Sequence, residues 1–320
     1  MMDSRQRKRA DYIADPVRVL VIPADCAGLR LDQALARLLP EHSRSRLAAW
    51  VKQGKVSLDD TAAEAKRKVW GGEQVRLAAG APPEETAQRA EDIPLAIVHE
   101  DAHLLVVNKP AGLVVHPGSG NWQGTLLNAL LHHAPQLSAL PRAGIVHRLD
   151  KDTSGLLVVA RTPEAQTDLV RQLAARTVQR RYLALAHGRV ARDGVVDAPI
   201  GRHPVQRTRM AVVGSGRLAR THYRVLERFA RATLLECALE TGRTHQIRVH
   251  MADIGHPLVG DPVYGPRRKA RDKLADFPRQ ALHAWRLALR HPATREEVGW
   301  EAPLPDDFAQ LLEALRAEET

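Results

Sequence analysis

The stretch GIVHRLDKDTSGLLVVAR, residues 144–161, decides how the rest of the chain is read. Its second half, 155–161, is a short apolar run (Leu156, Leu157, Val158, Val159) closed by Thr162-Pro163. That length and boundary suit a buried strand better than a helix. Just before it, His147, Arg148, Asp150, Lys151, Asp152, Thr153 and Ser154 put seven polar or charged side chains into eight positions. A charged loop feeding a core strand is where a rigid scaffold holds its chemistry. The competing reading is a solvated turn in which Arg148, Asp150, Lys151 and Asp152 pair at the surface, where such pairs contribute little. The remainder of the chain decides between them.

The 320 residues carry 47 Lys+Arg against 37 Asp+Glu, a formal net charge of +10. The excess is mostly arginine, whose planar fork matches phosphate, so a polyanion is the first candidate partner. With 44% hydrophobic and 26% charged residues, the composition is that of an ordinary globular protein. Cys26 and Cys237 stand far apart with no CxxC, which fits a reducing compartment and argues against cysteine-built zinc sites. The start, MMDSRQRKRADY, has no apolar stretch behind it and is not a signal peptide. No run approaches the length that spans a bilayer, and the expected location is the cytoplasm.

Outward from the opening stretch, four regions follow. Residues 1–16 (Arg5, Arg7, Lys8, Arg9) are expected to be a disordered basic arm. Residues 17–79 read as a small module: a strand at 17–22, a helix on Leu31, Leu35 and Leu38 ended by Pro40, and a second helix capped by Ser43 and stopped by Gly54. A strand at 56–58 turns at Asp59-Asp60, and 69–77 is expected to form another strand pair around Gly71-Gly72. Arg44, Arg46, Lys52 and Lys55 cluster about the second helix. Residues 80–101, with six acidic side chains against Arg89 and with Pro82 and Pro83, are expected to be a linker.

From 102 to 320 lies one large domain with 31 basic and 21 acidic residues. Strands are expected at 104–107 and 113–115 around Lys109-Pro110-Ala111-Gly112, at 178–186, at 234–240, and on His283, Trp285, Leu287 and Leu289. Helices are expected at 126–131 after Thr125, after Thr162-Pro163, and after a capping Asp306. Many strands with few helices between them give an α+β fold with a mixed, mostly antiparallel central sheet. A further charged stretch, ETGRTHQIRVHMADIG at 240–255, reads as a turn entering a helix with Thr244 as its cap. Arg243 then sits at a helix N-terminus, where anions are held, or in a salt bridge with a neighbouring carboxylate.

HRLDKDTSGLLVVA, RRYLALAHG, ETGRTHQIRVHMADIGHPLVGDPVYG and RQALHAWRL, in this order, resemble the motifs of the RluA family of RNA pseudouridine synthases. RLDQALARLLPEHSRSRLAAWVKQGKVSL resembles the S4 RNA-binding domain, except that Asp59-Asp60 replaces the usual Asn-Gly turn. The alternative for that module is a small α+β packing unit with an ordinary charged face. The family resemblance implies isomerisation of uridine to pseudouridine without cofactor or metal. By the motif, Asp150 is the catalytic aspartate, acting at ribose C1′ or in removing the C5 proton, with both routes open. Arg243 is then the guanidinium beside it, and Tyr182 is the ring that packs on the uracil. Arg148 takes the place of the flipped base. RNA contacts are expected from Arg202, Arg207, Arg209 and Arg248, and from Arg44, Arg46, Lys52 and Lys55 in the small module. The implied partner is 23S rRNA or a large-subunit precursor, at clustered uridines of a stem–loop, read by a monomer.

Two other classes compete. An RNA-binding ribosome-assembly factor would use the same basic surface without turnover. A metal hydrolase would need ligands among His116, His132, His133, His147, His245 and His250, of which His245 and His250 are five apart rather than the four of a helical ligand pair.

Overall fold

In the computed structural model the chain divides into two units, Met1–Thr86 and Ala87–Thr320. The structure describes residues 17–40, 42–78, 89–118, 121–266, 274 and 276–319. The arm at 1–16 and the basic residues Arg267, Arg268, Lys269, Arg271 and Lys273 lie outside the described residues.

In the first unit, β1 (Arg18–Val21), β4 (Gln74–Leu77), β2 (Val56–Leu58) and β3 (Thr61–Ala62) form an antiparallel sheet in that order. Helices α1 (Leu31–Leu38) and α2 (Arg44–Lys52) pack Leu31, Leu35, Leu47 and Val51 into a core with Val56, Leu58, Val75 and Leu77. Ser43 caps α2, its hydroxyl accepting the Arg46 N–H. Asp59 and Asp60 both take positive φ (49° and 58°), so the hairpin turn forms without Asn-Gly, because a short polar side chain tolerates the left-handed region. The expected strand pair around Gly71-Gly72 does not form. Val69 exchanges backbone hydrogen bonds with the 28–29 loop instead, and only Gln74–Leu77 is a strand.

In the second unit a nine-stranded sheet runs β5 (Ile97–Glu100), β6 (Leu104–Lys109), β7 (Ser154–Ala160), β14 (Leu282–Arg290), β8 (Gln179–His187), β13 (Ala232–Leu239), β12 (Arg220–Arg228), β9 (Gly194–Asp197). The ninth strand, β15 (Glu297–Glu301), shares one edge of β14 with β7. Only the β7–β14 pairing is parallel; the other pairings of this sheet are antiparallel. A separate ribbon joins β10 (Ile200–Arg202) to β11 (Met210–Val212).

All seven residues of β7 are buried, because the sheet is covered on both faces. One face carries α3 (Leu126–His133) and α5 (Gln246–Asp253) against Leu157, Val159, Tyr182 and Ala184. The other carries α4 (Pro163–Ala174) over Leu156 and Val158, and α6 (Asp306–Ala317) over Leu185 and Leu234. At the start of β7, Gly155 takes φ 113°, and a Cβ there would lie 2.2 Å from the Ala284 carbonyl oxygen. Only glycine lets β7 and β14 approach this closely.

Four expectations are corrected. The acidic stretch expected as linker contributes β5, whose residues pair with β6. Residues 113–115 are not a strand; the Val114 and Val115 carbonyls accept N–H groups from the first turn of α3. Pro305, not Asp306, is the N-cap of α6. Thr244 does not cap α5; His245 holds that position at φ 58°.

Candidate active site

The loop before β7 is held by hydrogen bonds to each of its residues from 151 to 154. Lys109, 1% exposed, donates from Nζ to the carbonyls of Lys151 (2.9 Å), Leu113 (2.9 Å) and Pro110 (2.7 Å). Burial pushes its ammonium down to about 7, against the pull of Asp152 and Asp150. From β14 and the segment preceding it, Arg279 Nη1 donates to the Asp152 carbonyl (3.2 Å) and Gln280 Nε2 to Thr153 Oγ1 (3.1 Å). His283 Nδ1 bonds Ser154 Oγ (2.9 Å). Arg279 is itself fixed by a fork onto Asp307 at 2.7 and 2.8 Å. The RQALH segment is thus the back wall of the loop. His147 is structural too: its Nε2 accepts the Val158 N–H on the edge of β7 that β14 leaves open (3.1 Å). Burial pushes that imidazole down to about 3.

This framework leaves the Asp150 carboxylate to a partner outside the loop. Asp150 Oδ2 accepts a hydrogen bond from Arg248 Nη1 at 2.9 Å. Arg248, on α5 and 4% exposed, turns its other edge onto Asp261, with Nε–Oδ2 at 2.7 Å and Nη2–Oδ1 at 2.9 Å. Asp261 Oδ1 also accepts the N–H groups of Val263 and Tyr264. Burial alone would raise the Asp261 carboxyl, but the guanidinium and these N–H groups hold it below the ordinary carboxylate range. Burial likewise works against the Arg248 cation, yet its two acidic partners raise its pKa overall. A fully desolvated guanidinium persists only when so paired.

The expected partner of Asp150, Arg243, is elsewhere. It lies half-buried in the turn before α5, with its N–H on Gln246 Oε1 (3.0 Å) and its Nε donating to the Leu218 carbonyl (3.0 Å). Helix α5 is buried from Gln246 to Met251, so an arginine on it must find acidic partners inside. Arg243 precedes the helix and satisfies itself on backbone. Arg248, expected from the sequence to contact RNA, takes the place beside Asp150 that was expected of Arg243.

Tyr182 comes to the same region. It is 6% exposed on β8, between Cys237 of β13 and Ala284 of β14, and among the described residues its hydroxyl has no hydrogen-bond partner. Burial raises its phenol pKa, Arg180 opposes, and the Asp150 charge adds to the rise. Arg148 is exposed, and its charge bears on His245 and His116. Two further neighbours, His245 and Tyr264, were not expected beside Asp150, and His245 was weighed only as a metal ligand. His245 Nε2 is 3.9 Å from Asp150 Oδ1, and its Nδ1 bonds the Tyr264 hydroxyl at 2.8 Å. Burial lowers the His245 pKa although Asp150 pulls the other way. Both residues fall inside the quoted motifs; their spacing carried no signal of its own.

The basic residues named for RNA divide. Arg202 and Arg207 are exposed on the arm formed by β10, β11 and their connection, while Arg209 is half-buried with its guanidinium 5.5 Å from the Tyr264 ring centroid. In the first unit, Arg44 is partly committed to the buried Asp32 (3.0 Å), and the Arg46 guanidinium lies 5.4 Å from the Trp50 ring centroid. Lys52 and Lys55 are exposed. Among the described residues, no group of three or more His, Cys, Asp or Glu side chains is placed to hold a metal ion.

A mixed sheet presenting one arginine-braced carboxylate beside a buried tyrosine defines a class, and comparison with known proteins agrees on which. The family model for RNA pseudouridylate synthase matches residues 103–253, and that for the S4 domain matches 29–75. The chain belongs to the RluA family of RNA pseudouridine synthases and is an isomerase with an S4 domain in front. It is 65% identical over 300 residues to ribosomal large subunit pseudouridine synthase D of Nitrosomonas europaea, covering 93% of this chain and 87% of that one. It is 55% identical over 312 residues to the protein of the same name from Pseudomonas aeruginosa, covering 94% and 96%. The solved structure of human RNA pseudouridylate synthase domain containing 4 aligns at 29% identity and TM-score 0.55, covering 69% of this chain and 93% of that one. No helix among the described residues is long and apolar enough to cross a membrane.

Proposed function

We propose that this enzyme converts uridines of large-subunit ribosomal RNA to pseudouridine, at clustered uridines of a stem–loop, in the cytoplasm. The names of the relatives above support the substrate class. The observation that carries the chemistry is the Asp150 carboxylate, held by the buried Arg248 at the mouth of a rigid loop.

In this reading RNA docks on the exposed arginines of the arm and on the basic face of the S4 domain. The target base leaves its stack at a cost of roughly a few kcal/mol, and Arg148 fills the gap. The uracil enters beside Tyr182, whose ring supplies an apolar platform. Asp150 serves either at C1′ or at the C5 proton, and Arg248 fixes which oxygen faces the substrate by holding Oδ2. The glycosidic C1′–N1 bond breaks, C1′–C5 forms, the C5 hydrogen leaves as a proton, and N1 takes one up.

The last step is the assay. RNA tritiated at C5 releases label to water when mixed with the enzyme, and Asp150→Asn abolishes release while leaving RNA affinity near wild type. Lost affinity in that variant would make Asp150 structural and return the site to a binding role.

A further inference from the structure

One tyrosine touches both the arm and two of the residues that flank the Asp150 carboxylate, His245 and Arg248. Tyr264 follows Asp261 by three residues and is half-buried. Its hydroxyl accepts the N–H of Met210, the first residue of β11, at 3.0 Å. The same oxygen bonds His245 Nδ1 at 2.8 Å, and His245 Nε2 faces Asp150 Oδ1 at 3.9 Å. Two guanidiniums lie near its ring: Arg209 of the arm, 5.5 Å from the centroid, and Arg248, the partner of Asp150, 5.2 Å away.

We infer that Tyr264 is a positioning residue that couples seating of the arm on RNA to the aim of Asp150, through His245. With the Met210 N–H accepted, the Tyr264 hydroxyl still has its own proton to give. Giving it to His245 Nδ1 puts the imidazole proton on Nε2, toward Asp150, and this is the arrangement we assign. A backbone N–H of β11 moves only with the arm, and shifting it disturbs the hydroxyl, the tautomer of His245 and the donor facing Asp150 together. Phenylalanine would pack as well as this ring does. The hydroxyl is what joins the two sides.

The inference rests on the proposed roles of Asp150 and of the arm, and Asp150→Asn is the control for that reading. Tyr264→Phe keeps the ring and removes the joint. The expected result is a fall of about tenfold in kcat with RNA Kd unchanged. In the wild-type background, Arg202→Ala with Arg207→Ala raises KM and also lowers kcat; in Tyr264→Phe the same pair raises KM only. Nitrogen-15 spectra of His245 show the Nε2-protonated tautomer in the wild type and a mixture in Tyr264→Phe, a signature that packing alone does not move. Wild-type kcat in Tyr264→Phe, an unchanged tautomer, or arm and Tyr264 effects that multiply independently would each overturn the coupling. If Asp150→Asn stays active, the failure belongs to the catalytic assignment instead.

Discussion

The loop at 147–154 and the arm at 200–217 are both rich in charge, and they dispose of it in opposite ways. In the loop, Lys109, Arg279, Gln280 and His283 bond the segment from Lys151 to Ser154, and Arg248 holds Asp150. In the arm, Arg202, Arg207 and Arg217 are exposed, and among the described residues Arg202 bonds the Arg207 carbonyl alone. Charge density alone cannot tell a reactive centre from a gripping surface; the number of partners each charge already has can. A saturated region should respond to mutation with lost stability and turnover, an unsaturated one with salt-dependent affinity.

The sharpest contrast is between two arginines five residues apart. Arg248→Met strands Asp261 without its counter-charge, and urea denaturation should show a loss of about 3–5 kcal/mol together with lost turnover. Arg243→Met, removing a guanidinium that only donates to a carbonyl, should cost less than about 1 kcal/mol. Equal losses would erase the distinction between the two positions.

Acid tests the saturated side as a whole. His147 and His116 are pushed down to about 3 and about 4, His147 first by burial and then by Arg180, His116 first by burial and then by Arg142 and Arg148. The unfolded chain takes up protons below roughly pH 6.5, and the folded one does not until much lower. Stability therefore falls as pH drops from about 6.5 toward 4, by up to about 1.4 kcal/mol per pH unit for His147 and by less for the partly exposed, solvent-screened His116. Thermal unfolding at pH 7, 5.5 and 4.5 reads this directly; a flat midpoint across that range would contradict it.

The smallest structural effect belongs to the arm. Replacing the exposed Arg202, Arg207 and Arg217 with alanine should leave the unfolding free energy within about 0.5 kcal/mol, as for other surface changes. The slope of log Kd against log salt should fall by roughly 0.7–0.9 for each phosphate that the arm no longer neutralises. An unaltered slope would take the arm off the RNA.

Much of this arrangement was legible in the sequence, and the illegible parts have a common cause. Strand β7 announced itself because it is buried on both faces, helix α4 because Thr162 and Pro163 mark its start, and β8 because Tyr182 and Ala184 alternate with Arg181 and Leu183. Strands β5 and β12 were missed because they are largely exposed and read as polar coil. Asp150 and Tyr182 stood out by motif. The choice between Arg243 and Arg248 did not, because it depends on Gln246 tying down the turn and on α5 being buried all round. Those are facts of packing that spacing does not encode.

Two carboxylates share the single guanidinium of Arg248, so this cluster has a surplus of one negative charge inside a chain of formal net charge +10. Under the proposed function, that local surplus disfavours a phosphodiester beside Asp150 and favours an uncharged base there, within a surface whose net charge attracts the strand as a whole.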